Sequence, residues 1–385
     1  MRYQWLASLV LVCLSGLLLC GCSTFWEQDN RPRPKPLAQL NPSLKIQTVW
    51  DNRTGYGVGR DYLKLSPLLT ANSVITIDHL GTITAVDKLN GRTQWKSFLN
   101  TDVTSSPAVN GDLLVFGTKN GTVVALNLAD RKPRWQTQVD SEILAQPAIS
   151  DKVVLIKSVD GKLTALSTQD GHKIWTYRQT EPNLILRGAS APQIYHDAVI
   201  VGSAGGKLSK LSLADGKEDW SELVSLPHGA FSIEHMVDVD ADPIIDQNRI
   251  FVGLYQGKVT ALDLSTGKPV WEQAISTYSG IAVDKKQVYV ADSKGHIWGL
   301  NRQTGKVLWE QTQLEARDLT GPVVSGDHLV VGDNQGFLHW LSKKDGHFLG
   351  RAQVGETGIL ANPVAQDKVV YAVTRSGYVA AYTYS

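Results

Sequence analysis

Cysteine is all but missing from this chain of 385 residues: there are three, Cys13, Cys20 and Cys22, and none follows. Beyond residue 22 no disulfide can form, and no zinc, iron–sulfur or haem-attachment set that needs a thiolate can be assembled. The nine histidines are dispersed, with no two at metal-binding spacing, so no metal site is expected. Charge of one sign is missing as well. Thirty-eight basic residues face 37 acidic ones, a net charge of +1, which removes the basic footprint a nucleic-acid partner requires. No stretch carries a helical i, i+3, i+4 apolar stripe, so helix content should be very low. There is no Gly-x-Ser-x-Gly elbow, no phosphate-binding glycine loop and no acid/base pair that spacing alone can place.

Two stretches imitate known loops and fail on inspection. Asp238-Val239-Asp240-Ala241-Asp242 opens like a calcium loop, but Pro243 stands where glycine is needed and Arg249 where glutamate is needed. Gly55-Tyr56-Gly57-Val58-Gly59 has neither the strand before it nor the helix after it that a dinucleotide loop requires, and it reads as a flexible loop.

What the chain does have is a phrase repeated eight times: a strand, a glycine turn, a second strand, often ending in Ala-Leu, then another turn before a closing tryptophan. The turn glycines are Gly81, Gly121, Gly161, Gly206, Gly257, Gly295, Gly336 and Gly377, separated by 40, 40, 45, 51, 38, 41 and 41 residues. A period near 40 with about four short strands marks propeller blades, none of which can bury its apolar faces alone. The closing tryptophans Trp95, Trp135, Trp175, Trp220, Trp271 and Trp309 share one repeat position and read as wedges between blades; Trp298 and Trp340 lie elsewhere in the repeat and read as core. The eighth unit stops at Ser385 before its tryptophan strand, while Leu44 to Trp50 is an alternating strand with a terminal tryptophan and no unit before it. The expectation is an all-β, eight-bladed propeller of four-stranded antiparallel blades over residues 43–385, closed by the N-terminal strand completing the last blade.

The N-terminus carries a second message. Arg2 precedes the apolar run Leu6 to Leu19, too short for a membrane span and followed by small residues and a cysteine, as in a secretory signal. Leu19-Cys20-Gly21-Cys22 resembles the bacterial lipobox. That resemblance implies a signal peptide over 1–21, a lipid anchor on Cys22, and transfer to the outer membrane, because Ser23 replaces the aspartate that retains such proteins at the inner one. The stretch 22–42, with Arg31-Pro32-Arg33-Pro34-Lys35-Pro36, is expected to be an extended tether of up to roughly 60 Å that holds the propeller in the periplasm.

Departures from the repeat point to function. From a closing tryptophan to the next blade's proline there are 12 residues after Trp95 and Trp135 and 13 after Trp309, but 17 after Trp175 and 23 after Trp220. Insertions on one face of a repeat protein often build its binding surface. The first enlarged connection carries Leu184, Leu186 and Arg187, the second Asp238 and Asp240. Two readings stay open from composition: a partner-binding patch, or aliphatics plugging the propeller top with Arg187 paired to Asp238 or Asp240.

The lipobox, the eight quinoprotein-type repeats, Leu184-Ile185-Leu186-Arg187-Gly188-Ala189-Ser190-Ala191-Pro192, Val237-Asp238-Val239-Asp240-Ala241-Asp242-Pro243 and the seventh-blade wording Leu329 to Trp340 together resemble the BamB family, propeller lipoproteins of the outer-membrane β-barrel assembly machinery. The resemblance covers essentially the whole chain. It implies a non-enzymatic scaffold without cofactor, a monomer within its complex, that faces the periplasm and binds the POTRA domains of BamA through Leu184, Leu186, Arg187, Asp238 and Asp240. It also implies unfolded outer-membrane barrels as clients. Two other classes remain: a periplasmic PQQ-dependent dehydrogenase, which shares the repeat but is usually twice as long and needs a disulfide this chain cannot make, and a lipoprotein propeller for another envelope partner.

Overall fold

The structure, a computed structural model, describes residues 32–178, 190–225 and 239–385. The lipid-anchor position Cys22 and four of the five loop residues named above, Leu184, Leu186, Arg187 and Asp238, lie outside them. Among the described residues there is no helix. The strands form eight four-stranded sheets. Blade one is typical: Leu68–Leu69, Ser73–Ile77, Thr82–Asp87 and Thr93–Phe98 pair in chain order, each antiparallel to the next. The short first strands of blades two to eight adjoin one another around the axis. The two middle strands carry the apolar residues, with Val74, Ile75, Ile83, Ala85 and Val86 all essentially inaccessible, while the outer strand alternates with solvent. This is the eight-bladed propeller the repeat implies.

Blade eight is assembled from both ends of the chain. Ile46–Arg53 pairs antiparallel with Tyr378–Tyr384 and supplies the outer strand behind Val369–Val373 and Val364–Gln366. The folded unit, however, starts earlier than residue 43, at Lys35, whose N–H donates to Glu315 O at 3.0 Å.

The tryptophans are wedges of one design. Each lies against the glycine of the third-to-fourth-strand turn in the next blade, as Trp135 does against Gly171, and its indole N–H donates to a carbonyl in that turn, Thr168 O at 3.1 Å for Trp135. Trp50, Trp175, Trp220, Trp271 and Trp309 repeat the arrangement. Opposite the tryptophan on the third strand stands a small residue, Ala85, Ala125, Ala165, Ala261 or Gly299, except in blade four, where Lys210 faces Trp220. Blade seven inverts the pair, with Trp340 on the third strand facing Gly350 on the fourth. The reason is the ring closure: blade eight has chain ends where a turn would be, and the Ile46 side chain fills the space beside Gly350. In blade two the turn glycine is replaced by Arg131, which takes the left-handed φ of 63° and sets its guanidinium 5.8 Å from the Trp95 ring.

Gly171 has φ of 73°, and a Cβ there would stand 2.5 Å from Trp135 Cε3, so Gly171→Ala combines left-handed strain with overpacking. A loss of about 2–4 kcal/mol in unfolding free energy is expected. Gly111 has φ of 56° and open space where a Cβ would stand, so Gly111→Ala should show the strain alone, about 1 kcal/mol. Urea unfolding of the two variants checks the difference; equal losses would remove the wedge argument.

Candidate partner-binding face

In every blade the turn between second and third strands and the connection to the next blade emerge at the same end of the sheets, and together they make one face. Both enlarged connections belong to it, leaving after Lys173–Arg178 and Glu218–Leu223 and returning at the first strands Gln193–Tyr195 and Ile244–Asp246. The structure describes their returning roots.

Those roots are tied together. Asp242 Oδ1 accepts the N–H of Ala191 at 2.6 Å, so the residue closing the second connection holds the residue closing the first. Lys157, from the second strand of blade three, donates to Ser190 Oγ at 3.0 Å, and both residues are buried. From across the axis Lys64 donates to Tyr278 O at 2.8 Å and lies over the Tyr278 ring at 5.7 Å. Asp240 is half-buried and, with Asp242, within electrostatic reach of Lys64. Enclosure by the surrounding blades pushes the Lys64 ammonium below the ordinary lysine range, and the two carboxylates work against that shift. The same enclosure pushes Asp242 up, opposed by the Ala191 N–H, Lys64 and Lys157. Asp242 nonetheless touches solvent, which makes this a wet recess ringed by protein rather than a dry core.

The segment with the Gly55-Tyr56-Gly57-Val58-Gly59 pattern is not a flexible loop; this expectation is corrected. It crosses the mouth of the axis. The N–H of Val58 donates to Arg375 O and that of His79 to Gly57 O, while Ser66 N–H reaches Ser106 Oγ at 2.9 Å. Val58, Leu63 and Leu65 pack with Leu144 and Leu360, which come from the connections into blades three and eight. Gly57 is needed for close approach, since a Cβ would lie 2.0 Å from Arg375 O. The cavity left beside this plug, lined by Thr54, Val58, Leu63, Leu65 and Leu360, is about 20 Å³, room for a single water. The composition of the stretch hid its role because its order comes from distant blades, not from local periodicity. Residues the sequence did not single out are therefore Lys64 and Lys157. Asp242, Ser190 and Ala191 were visible in their motifs, but the hydrogen bonds that tie them into one root were not.

The sequence profile of the family described as outer membrane protein assembly factor BamB matches residues 79–311 and 300–384. The factor of that name from Legionella pneumophila strain Paris is 36% identical over 373 residues, covering 96% of this chain and 97% of the relative. That from Escherichia coli K12 is 33% identical over 381 residues, covering 94% and 97%. The crystal structure of BamB from Moraxella catarrhalis superposes with a TM-score of 0.80 at 25% identity, over 88% of this chain and 100% of that one. Quinohemoprotein alcohol dehydrogenase from Comamonas testosteroni reaches a TM-score of 0.72 at 12% identity, over 88% and 76%, a likeness of fold alone.

Proposed function

The chain belongs to the BamB family of outer membrane protein assembly factors, and from that premise we propose that it is a non-enzymatic scaffold that binds the POTRA domains of BamA with the face built by its two enlarged connections. Acyl chains on Cys22 hold it on the periplasmic side of the outer membrane in this reading. The observation that supports it most is the tie between Asp242 and Ala191, which gives two loops from successive blades a common root. Leu184, Leu186, Arg187 and Asp238 then supply the contacts, and Asp240, facing Lys64, fixes the second loop from within. Confinement of both partners to one membrane raises their effective concentration, so an interface of modest size suffices. The filled axis also favours a scaffold over a dehydrogenase, because that class holds its cofactor in the propeller.

The test is affinity capture from gently solubilised outer membranes. The parent protein should retain BamA, and an Arg187→Glu, Asp238→Lys double variant with unchanged β-sheet spectrum should lose it, at about 1–3 kcal/mol per removed anchor. Equal capture by the two would refute the assigned contacts, and no capture by either would refute the partner.

A further inference from the structure

The segment from Lys35 to Pro42 lies on the propeller, and the groups that hold it are built for the purpose. Lys35 donates its N–H to Glu315 O at 3.0 Å and its ammonium to Thr312 O at 3.3 Å. Its carbonyl accepts from Arg317 Nη1 at 3.0 Å. Leu37 packs against the apolar cluster shared by blades six and seven, with Tyr289, Trp309, Leu314 and Leu341. Arg351 Nη1 reaches Ala38 O at 3.5 Å, and Ser43 and Leu44 both donate to Leu349 O.

Arg317 is only 1% exposed, and its other donors go to Asp333 Oδ2 at 2.7 Å and Gln335 Oε1 at 2.6 Å. A guanidinium is always charged and all its N–H groups need acceptors when buried. The Lys35 carbonyl is thus part of what makes the burial of Arg317 tolerable. Arg351 is fixed in turn by donating to His339 Nδ1 at 3.1 Å. Burial holds that imidazole below its ordinary range, neutral, so Nδ1 can accept while Nε2 donates to Asp333 at 2.9 Å.

Docking changes the reach of the anchor. Thirteen residue steps separate Cys22 from Lys35 and 21 separate it from Ser43. At full extension these lengths are about 45 Å and about 70 Å. A compact unit running from Lys35 to Ser385 has a radius of gyration of about 20 Å and a breadth of roughly 50 Å. A chain released at residue 43 would let any side of the propeller approach the membrane; one held to residue 35 does not.

We propose that residues 35–42 form a strap that hangs the propeller by the blade-six and blade-seven side of its loop face, making this the side held next to the bilayer. The proposal rests on the lipid anchor at Cys22, and its test is arranged to be read without natural acylation. Cys22 is the one thiol of the mature chain, so protein made without its signal is coupled through Cys22 to a maleimide lipid in phosphatidylcholine vesicles carrying an acceptor-labelled lipid. A donor is placed at Lys294 in blade six or at Lys119 in blade two, equivalent exposed turns on opposite sides of the ring. Energy transfer should be roughly twofold stronger from position 294. In a Lys35→Gly, Leu37→Asp variant, which leaves the propeller residues untouched, the two positions should converge, and Arg317→Ala should act alike if it folds. Equal transfer in the parent, or a ratio that survives loosening of the strap, overturns the proposal. Failure of natural acylation, read from the mass of the N-terminal peptide, would remove the anchor while leaving this ratio intact.

Discussion

Asp333→Ala is expected to lower the unfolding free energy by about 3–5 kcal/mol, the cost of leaving a buried cation without its counter-ion. Asp333 is wholly buried, and both oxygens are fully used. Oδ1 accepts the N–H groups of Gln335 and Phe337 at 2.9 and 3.0 Å and so shapes the blade-seven turn. Oδ2 accepts from Arg317 at 2.7 Å and from His339 at 2.9 Å. Burial pushes this carboxyl up, but the hydrogen bonds from His339, Phe337 and Arg317 overcome it and hold Asp333 below the usual carboxylate range, ionised. Asp333→Asn keeps the turn acceptor and loses the charge, so it should cost about 1.5–3 kcal/mol. Urea unfolding gives both values, and amide exchange at Lys35 gives a second readout, since its N–H is bonded only while the strap is docked. An alanine variant within about 1 kcal/mol of the parent would show that Arg317 finds another acceptor, and the network would lose its role.

The repeat made the ring legible because most blades solve the same problem with the same residues: a turn glycine, a small residue facing a tryptophan, and an indole N–H with a carbonyl in reach. Exceptions were legible only in part. Arg131 replaces a glycine and keeps its left-handed backbone by stacking on Trp95, a substitution no turn rule anticipates. Trp340 and Gly350 exchange places because the neighbouring blade is closed by chain ends, which a linear reading cannot see. The proline-rich stretch gave no sign that it docks from Lys35 onward. Pro36 and Ala38 do not distinguish a docked strap from a solvated spacer; the buried Arg317 far along the chain does. At the candidate face the enlarged spacing located the two connections, while their common root depends on Lys64 and Ala191, which no periodicity links to Asp242.

Removing the N-terminal strand, residues 46–53, should abolish the folded monomer. Trp50 is 6% exposed, wedged against Gly91 and bonded to Lys88 O, and its loss alone costs about 3–5 kcal/mol. Ile46 leaves the gap beside Gly350, Asn52 releases Gly91 O, and the outward hydrogen-bonding edge of Tyr378–Tyr384 is left without a partner. At about 1 kcal/mol for each lost ladder bond, the sum approaches or exceeds the 5–15 kcal/mol that typically separates folded from unfolded chains. An unpaired, flat edge also templates association, so the surviving material should be oligomeric by size exclusion. A circular permutant offers the complementary result. Ser385 N–H donates to Lys45 O at 3.1 Å and Lys45 N–H to Ser385 O at 3.0 Å, so a short turn joining these ends makes blade eight a hairpin like the other seven. With new termini at Gly111 and Asp112, such a chain should fold to a monomer with the same spectrum. A stable monomer without residues 46–53 would mean that seven complete blades and a three-stranded eighth hold the ring unaided.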